Sequence, residues 1–146
     1  MTENVIVTIK GLQFDSVDEN VIEVIHIGRF SEINNKIYVK YDEILEGEIR
    51  ATTNLIKIGE GIVEITKRGP VSTHMQFCPN EKTMSMYDTP FGSFNLGILS
   101  RNVDIDKNED AIHIFIEYSL EVNEEMISDC KVEICIKPQN RAEKFI

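Results

Sequence analysis

The chain has 146 residues, 25 acidic against 15 basic side chains, and a formal charge of -10. That length suits a single domain with a core of its own, and the charge disfavours nucleic acid and anionic membrane surfaces, because like charges repel on approach. Met1-Thr2-Glu3-Asn4 lacks the basic and then apolar start of a secretory leader, and no apolar run reaches membrane-spanning length. Cys78, Cys130 and Cys135 are an odd set with no disulfide framework, so the expectation is a cytoplasmic protein with reduced thiols.

Period-two or β-branched runs occupy residues 5–10, 21–27, 36–41, 49–58, 61–67, 71–77, 82–87, 91–99, 111–120 and 131–136, separated by Gly, Pro, Asn and Asp. Alternation is clearest where Ile112, Ile114, Ile116, Tyr118 and Leu120 would share one face and His113, Phe115 and Glu117 the other. Asp104-Ile105-Asp106-Lys107-Asn108 begins like a calcium loop. Glu109 stands where the sixth-position glycine belongs and Phe115 where the bidentate acid belongs, so the segment reads as an acidic, solvated hairpin loop. The best helical stretch, 121–129, is short and reads equally as a connection with one turn of helix.

About ten strands with short hairpins predict an all-β fold. The architecture expected is an antiparallel, meandering, closed β-barrel of about eight to ten strands, with a sandwich second, because closure removes exposed edges. The barrel domain spans residues 1–137. Residues 138–146 follow as a C-terminal tail, and the stretch after Pro138 has no strand pattern, so it is expected to contribute little to the barrel.

Arg68-Gly69-Pro70-Val71-Ser72-Thr73-His74-Met75-Gln76-Phe77, followed by Met84-Ser85-Met86-Tyr87-Asp88-Thr89-Pro90-Phe91-Gly92 and by Gly97, resembles the DUF1934, or YwiB-like, family of small bacterial β-barrels. The most specific pieces are Arg68-Gly69, the Thr73-x-Met75-x-Phe77 alternation and Tyr87-x-Thr89-Pro90-Phe91-Gly92, and the resemblance runs from Val5 to about Ile136. It implies a calycin-like, lipocalin-like barrel with no assigned activity. By fold-level analogy with ligand-carrying calycins, it also implies a small molecule inside the barrel. The chain has no Trp and therefore lacks the Gly-x-Trp signature of lipocalins.

Hairpin arithmetic nominates the residues for such a site. If Gly69-Pro70 is a two-residue turn, Arg68, Thr66 and Glu64 lie opposite Val71, Thr73 and Met75 on one face. A further turn at Pro79-Asn80 would set Met75 opposite Met84 and Thr73 opposite Met86, while His74 meets Ser85 on the other face. The candidate ligand contacts are therefore Glu64, Thr66, Arg68, Thr73, Met75, Met84 and Met86, with Arg68 meeting a ligand carboxylate, and Tyr87 and Thr89 join them because a Tyr hydroxyl beside the turn at Pro90 could anchor a ligand at a rim. The competing structural reading pairs Arg68 with Glu64 and gives Asp88, Thr89, Pro90 and Gly92 ordinary turn roles.

No catalytic residue, metal site or cofactor is nominated. His26, His74 and His113 are scattered, Cys130 and Cys135 point to opposite faces of one strand, and Tyr41-Asp42-Glu43 with Glu46 reads as a solubilising acidic cluster. The expected function is non-enzymatic binding of a small, partly apolar or anionic molecule in the barrel. The alternative is a filled barrel serving as a structural or protein-interaction module, with an enzyme third. A homodimer is compatible with either of the first two.

Overall fold

The computed structural model describes residues 4–11, 23–45, 47–140 and 145. Ten strands follow one another: β1 (Asn4–Lys10), β2 (Glu23–Ile33), β3 (Lys36–Glu43), β4 (Thr52–Gly59), β5 (Ile62–Arg68), β6 (Thr73–Phe77), β7 (Lys82–Thr89), β8 (Gly92–Lys107), β9 (Ile112–Val122) and β10 (Glu125–Pro138). All ladders are antiparallel, and the lateral order is β6-β5-β4-β3-β2-β1-β10-β9-β8-β7, giving a nearly closed meandering barrel. The ten expected strands are all present. Residues 21 and 22 of the expected second strand, Glu46, and tail residues 141–144 and 146 lie outside the described residues.

Turn chemistry explains the hairpins. Asn34-Asn35, Glu60-Gly61 and Asn123-Glu124 each place two consecutive residues at positive φ, the backbone twist that joins right-handed strands through two residues. The stretch 121–129 is thus not helical; it closes the β9–β10 hairpin, because Asn123 and Glu124 accept the left-handed conformation between two ladder-forming runs.

Bulges change which residues face inward. In β8 the register shifts between Ser100 and Asn102, so Leu96, Ile98 and Ser100 point inward before it and Val103 and Ile105 after it. The acidic segment expected as a loop is consequently strand as far as Lys107, with Asp104 opposite Phe115 and Asp106 opposite His113; only the turn at Asn108 remains. Ladder pairing with β9 outweighs the turn propensity of two Asp residues whose side chains point to solvent.

Inside, every strand except β7 contributes buried apolar side chains. Val5, Val7, Val39, Ile56, Val63, Ile65, Met75, Phe77, Ile98, Ile112, Ile116, Val132 and Ile136 have no exposed surface, so no water-sized space touches them. The lumen is packed. Phe145 is only 2% exposed, packs in a tilted arrangement against Phe30 with ring centroids 4.9 Å apart, and donates its backbone N–H to the Glu109 carbonyl at 2.9 Å, sealing the end where β8 turns into β9. The expectation that the last residues contribute little therefore fails at Phe145, because one aromatic ring supplies apolar area that a residue outside the strand pattern can still bury.

The two ends of the lateral order, β6 and β7, meet across a seam. Backbone pairing there is confined to Ser72 and Asp88, which exchange N–H···O bonds of 2.9 Å in both directions. Beyond that bridge, side chains replace the ladder: the Ser85 hydroxyl donates to the His74 carbonyl at 2.6 Å, and the Thr83 hydroxyl to the Gln76 carbonyl at 2.7 Å. These hydroxyls satisfy edge carbonyls that would otherwise need water.

Two outcomes test this account. Phe145→Ala should cost about 3–5 kcal/mol, as for other buried aromatic truncations, read from the urea midpoint. Thr83→Val keeps the shape but removes the donor, so it should cost roughly 1–3 kcal/mol and speed amide exchange in β6 while leaving β9 and β10 protected.

Candidate functional site

Strand parity decides what lines the barrel. Ile37 and Val39 are buried, so Tyr41 and Glu43 continue the inner face of β3; Ile56 and Ile58 are buried, so Thr52 and Asn54 continue that of β4. On β5, Val63 and Ile65 carry Lys67 inward with them. On β2, His26 lies opposite Val7 of β1 and shares the inner face with Phe30. Six polar or titratable side chains of β2–β5 thus stand at the same end of the barrel, opposite the end that Phe145 seals.

Their contacts form one network. The Lys67 ammonium donates to Glu43 Oε1 at 2.8 Å and to Asn54 Oδ1 at 2.6 Å, and Asn54 Nδ2 donates to the same Glu43 oxygen at 3.1 Å. The His26 ring stacks on Tyr41 with centroids 4.6 Å apart. The ion pair is largely withdrawn from water, with 13% of the Lys67 side chain and 19% of Glu43 exposed. Thr52, opposite Glu43, is fully buried, and its hydroxyl has no hydrogen-bond partner among the described residues.

Electrostatics follow from this placement. Burial lowers the His26 pKa, with the Lys67 charge adding to the effect and Glu43 opposing it, so the ring is held neutral. For Glu43, burial alone would raise the pKa, but hydrogen bonds and charge from Lys67, the Asn54 amide and His26 outweigh it and keep the carboxylate ionised. Burial and the Glu43 charge push the Tyr41 phenol up, so it stays protonated.

The network continues round the wall. Lys67 is the ladder partner of Thr73, whose hydroxyl lies 3.2 Å from that of Ser85 across the seam. Two residues beyond Ser85, Tyr87 packs on the core opposite Phe94, and Val122 lies opposite Leu96. This rim is therefore charged and polar along β2–β5 and apolar along β7–β9.

The residues nominated from sequence divide between the two faces. Thr73 and Met75 point inward, Met75 wholly within the packed core, and Tyr87 reaches the rim. The Thr89 hydroxyl accepts from the Phe91 N–H at 3.1 Å and donates to the Gly92 carbonyl at 2.9 Å, which is turn chemistry. Glu64, Thr66 and Arg68 stand on the outer face, where Glu64 takes hydrogen bonds from Gln76 and His74. Met84 and Met86 are also outside, 61% and 49% exposed.

The error is one residue of register. Lys67 pairs with Thr73 and Ile65 with Met75, so five residues, Arg68 to Ser72, connect the strands in place of two. Gly69 adopts φ 151° against the backbone of Ala51 and Thr52, where a Cβ would come within 2.8 Å of a carbonyl oxygen, and Ser72 leaves the hairpin to bridge Asp88. An odd loop exchanges the faces, which puts Lys67 where Arg68 was expected. The expected ladder between β6 and β7 is likewise replaced by the hydroxyl seam. Sequence reasoning missed His26, Tyr41, Glu43, Asn54 and Lys67, although the alternation Ile37, Val39, Tyr41, Glu43 carried the signal for two of them.

Residues 7–134 match the model of a family described as a domain of unknown function, DUF1934. The uncharacterized β-barrel protein YwiB of Bacillus subtilis (strain 168) is 26% identical over 117 residues, covering 80% of this chain and 81% of YwiB. The crystal structure of the Bacillus subtilis ywiB protein superimposes with a TM-score of 0.79 at 22% identity, covering 94% of this chain and 93% of that one.

Removing the cation tests the network. Lys67→Met leaves Glu43 unpaired and withdrawn from water, so stability should fall by about 1–3 kcal/mol, between the values for exposed and buried pairs, and Glu43→Gln in the same chain should recover part of it. The pH dependence has a defined sign. Both groups hold protons less readily when folded, so their contributions are complete above the ordinary values of 6.5 for His26 and 4.5 for Glu43 and are lost as pH falls through the lowered ones. Urea midpoints measured from about pH 7 down to 4 should therefore decline, with His26→Gln flattening the upper part of the curve and Glu43→Gln the lower.

Proposed function

The chain belongs to the DUF1934 family, and from that premise we propose that it is a non-enzymatic binding protein for a small, partly apolar molecule carrying an anionic group. The molecule sits at the rim above the packed core, not in the lumen. One observation carries the reading: the rim is divided, with Lys67, Asn54, Tyr41 and His26 on one arc and Tyr87, Phe94 and Val122 on the other. An ammonium has three donors, and Glu43 and Asn54 engage two of the Lys67 protons, which leaves one for a ligand oxygen. The apolar arc would cover the remainder of such a molecule.

A second reading rests on a different feature. The outer face of β7 and β8 exposes Met84, Met86 and Leu99, and a filled barrel with an apolar strip outside suits a protein-interaction module, including self-association. Both readings place the protein in the cytoplasm and need neither cofactor nor metal; nucleic acid and membrane surfaces remain unsuitable partners for a chain of charge -10.

Native mass spectrometry of the protein purified from its source cells separates the two. The binding reading expects a copurified small molecule that is lost in Lys67→Met and retained in Arg68→Met, because Arg68 is exposed on the outer face. Retention in Lys67→Met would overturn it, as would a ligand-free protein whose mass reports a dimer dispersed by Met86→Lys.

A further inference from the structure

The arrangement around Lys67 has a charge consequence for anion binding, and this step rests on the rim-binding reading above. Among the described residues, the cluster without a ligand contains one cation, Lys67, and one anion, Glu43, hydrogen-bonded to each other, beside a neutral His26. An anion accepting the remaining Lys67 proton would place two negative charges against one positive in a region screened only partly by water. The imidazole is the group positioned to restore the balance.

We propose that His26 takes up one proton when an anion binds beside Lys67, which makes the rim a proton-coupled carboxylate site that binds more tightly as pH falls below neutrality. The surroundings of His26 support this role. From β1, Val5, Val7 and Ile9 face it and offer no titratable group. From β3, Tyr41 stacks on the ring and Glu43 draws its pKa upward; Lys67 of β5 opposes that pull. A ligand anion that takes up part of the Lys67 charge weakens the opposing contribution and adds a negative charge of its own, so both changes favour imidazolium. Tyr41 stays protonated and Glu43 ionised through the range in which His26 titrates, so neither competes for the proton. His74 and His113 lie on the outer face and serve as internal controls.

Isothermal titration of the full chain with sodium octanoate tests the coupling, using cationic buffers of low and high ionisation enthalpy between about pH 6 and 8, where the probe is fully ionised. The expected result is uptake of up to one proton per octanoate and an affinity that rises by as much as about tenfold per pH unit across the window between the free and bound His26 pKa values. The ring resonances of His26 should titrate at higher pH with octanoate than without. His26→Gln should abolish both the proton uptake and the acid-side gain, while His74→Gln and His113→Gln keep them. Binding with pH-independent affinity, or proton uptake that survives in His26→Gln, overturns the coupling and leaves the rim-binding reading standing. No binding at any pH with millimolar octanoate, in a protein that copurifies with no small molecule, overturns both.

Discussion

Closure of the ten-stranded sheet is the constraint on which the rest of the structure depends. An antiparallel sheet of this size has two edges, and in this chain they belong to strands that are neighbours in sequence, β6 and β7. The distant strands β1 and β10 pair by a regular ladder, whereas the adjacent ones meet through a two-bond bridge and two hydroxyls. Drawing Ser72 out of the β5–β6 hairpin to make that bridge lengthens the loop to an odd number of residues. The same bond that helps close the barrel therefore also sets Lys67 inside it.

A filled barrel with one charged rim is a consistent outcome of parity. Once Ile37, Val39, Ile56, Ile58, Val63 and Ile65 are committed to the core, the residues two and four positions further along each strand must share their face, whatever their chemistry. Three of those positions hold Glu43, Asn54 and Lys67, and burial is tolerated because each polar group finds another. Thr52, enclosed beside Gly69, and Ser100 of β8 are the exceptions, buried hydroxyls without a partner among the described residues. An unpaired buried hydroxyl costs about 1–3 kcal/mol, which the adjoining apolar core must offset.

Much of the fold was legible, and the misreadings have specific causes. Ten strands could be placed because turn residues punctuate the period-two runs, and β9 was read with the correct faces throughout. The far half of β8 was lost because a bulge near Arg101 changes the phase of alternation, so a continuous strand looks like a strand followed by an acidic loop. The faces of the β5–β6 hairpin were misread for a related reason. Gly69-Pro70 resembles a tight turn locally, but its geometry is set by the backbone of Ala51 and Thr52 and by Asp88, which are remote in sequence. Phe145 was overlooked because a single docked ring leaves no periodicity to detect.

The pairing of β1 with β10 also bears on how the molecule is made. Val5 lies opposite Pro138, so the first strand keeps one edge open until all nine later strands have been synthesised, and Phe145 reaches its seat against Phe30 later still. Hairpins β2–β3 and β4–β5 can form as they emerge, because their contacts are local. The circumference cannot be completed in that order. Until β10 pairs, a folding chain therefore passes through a curved, open sheet with an unpaired margin on β1, and that interval is when it has most need of protection from self-association.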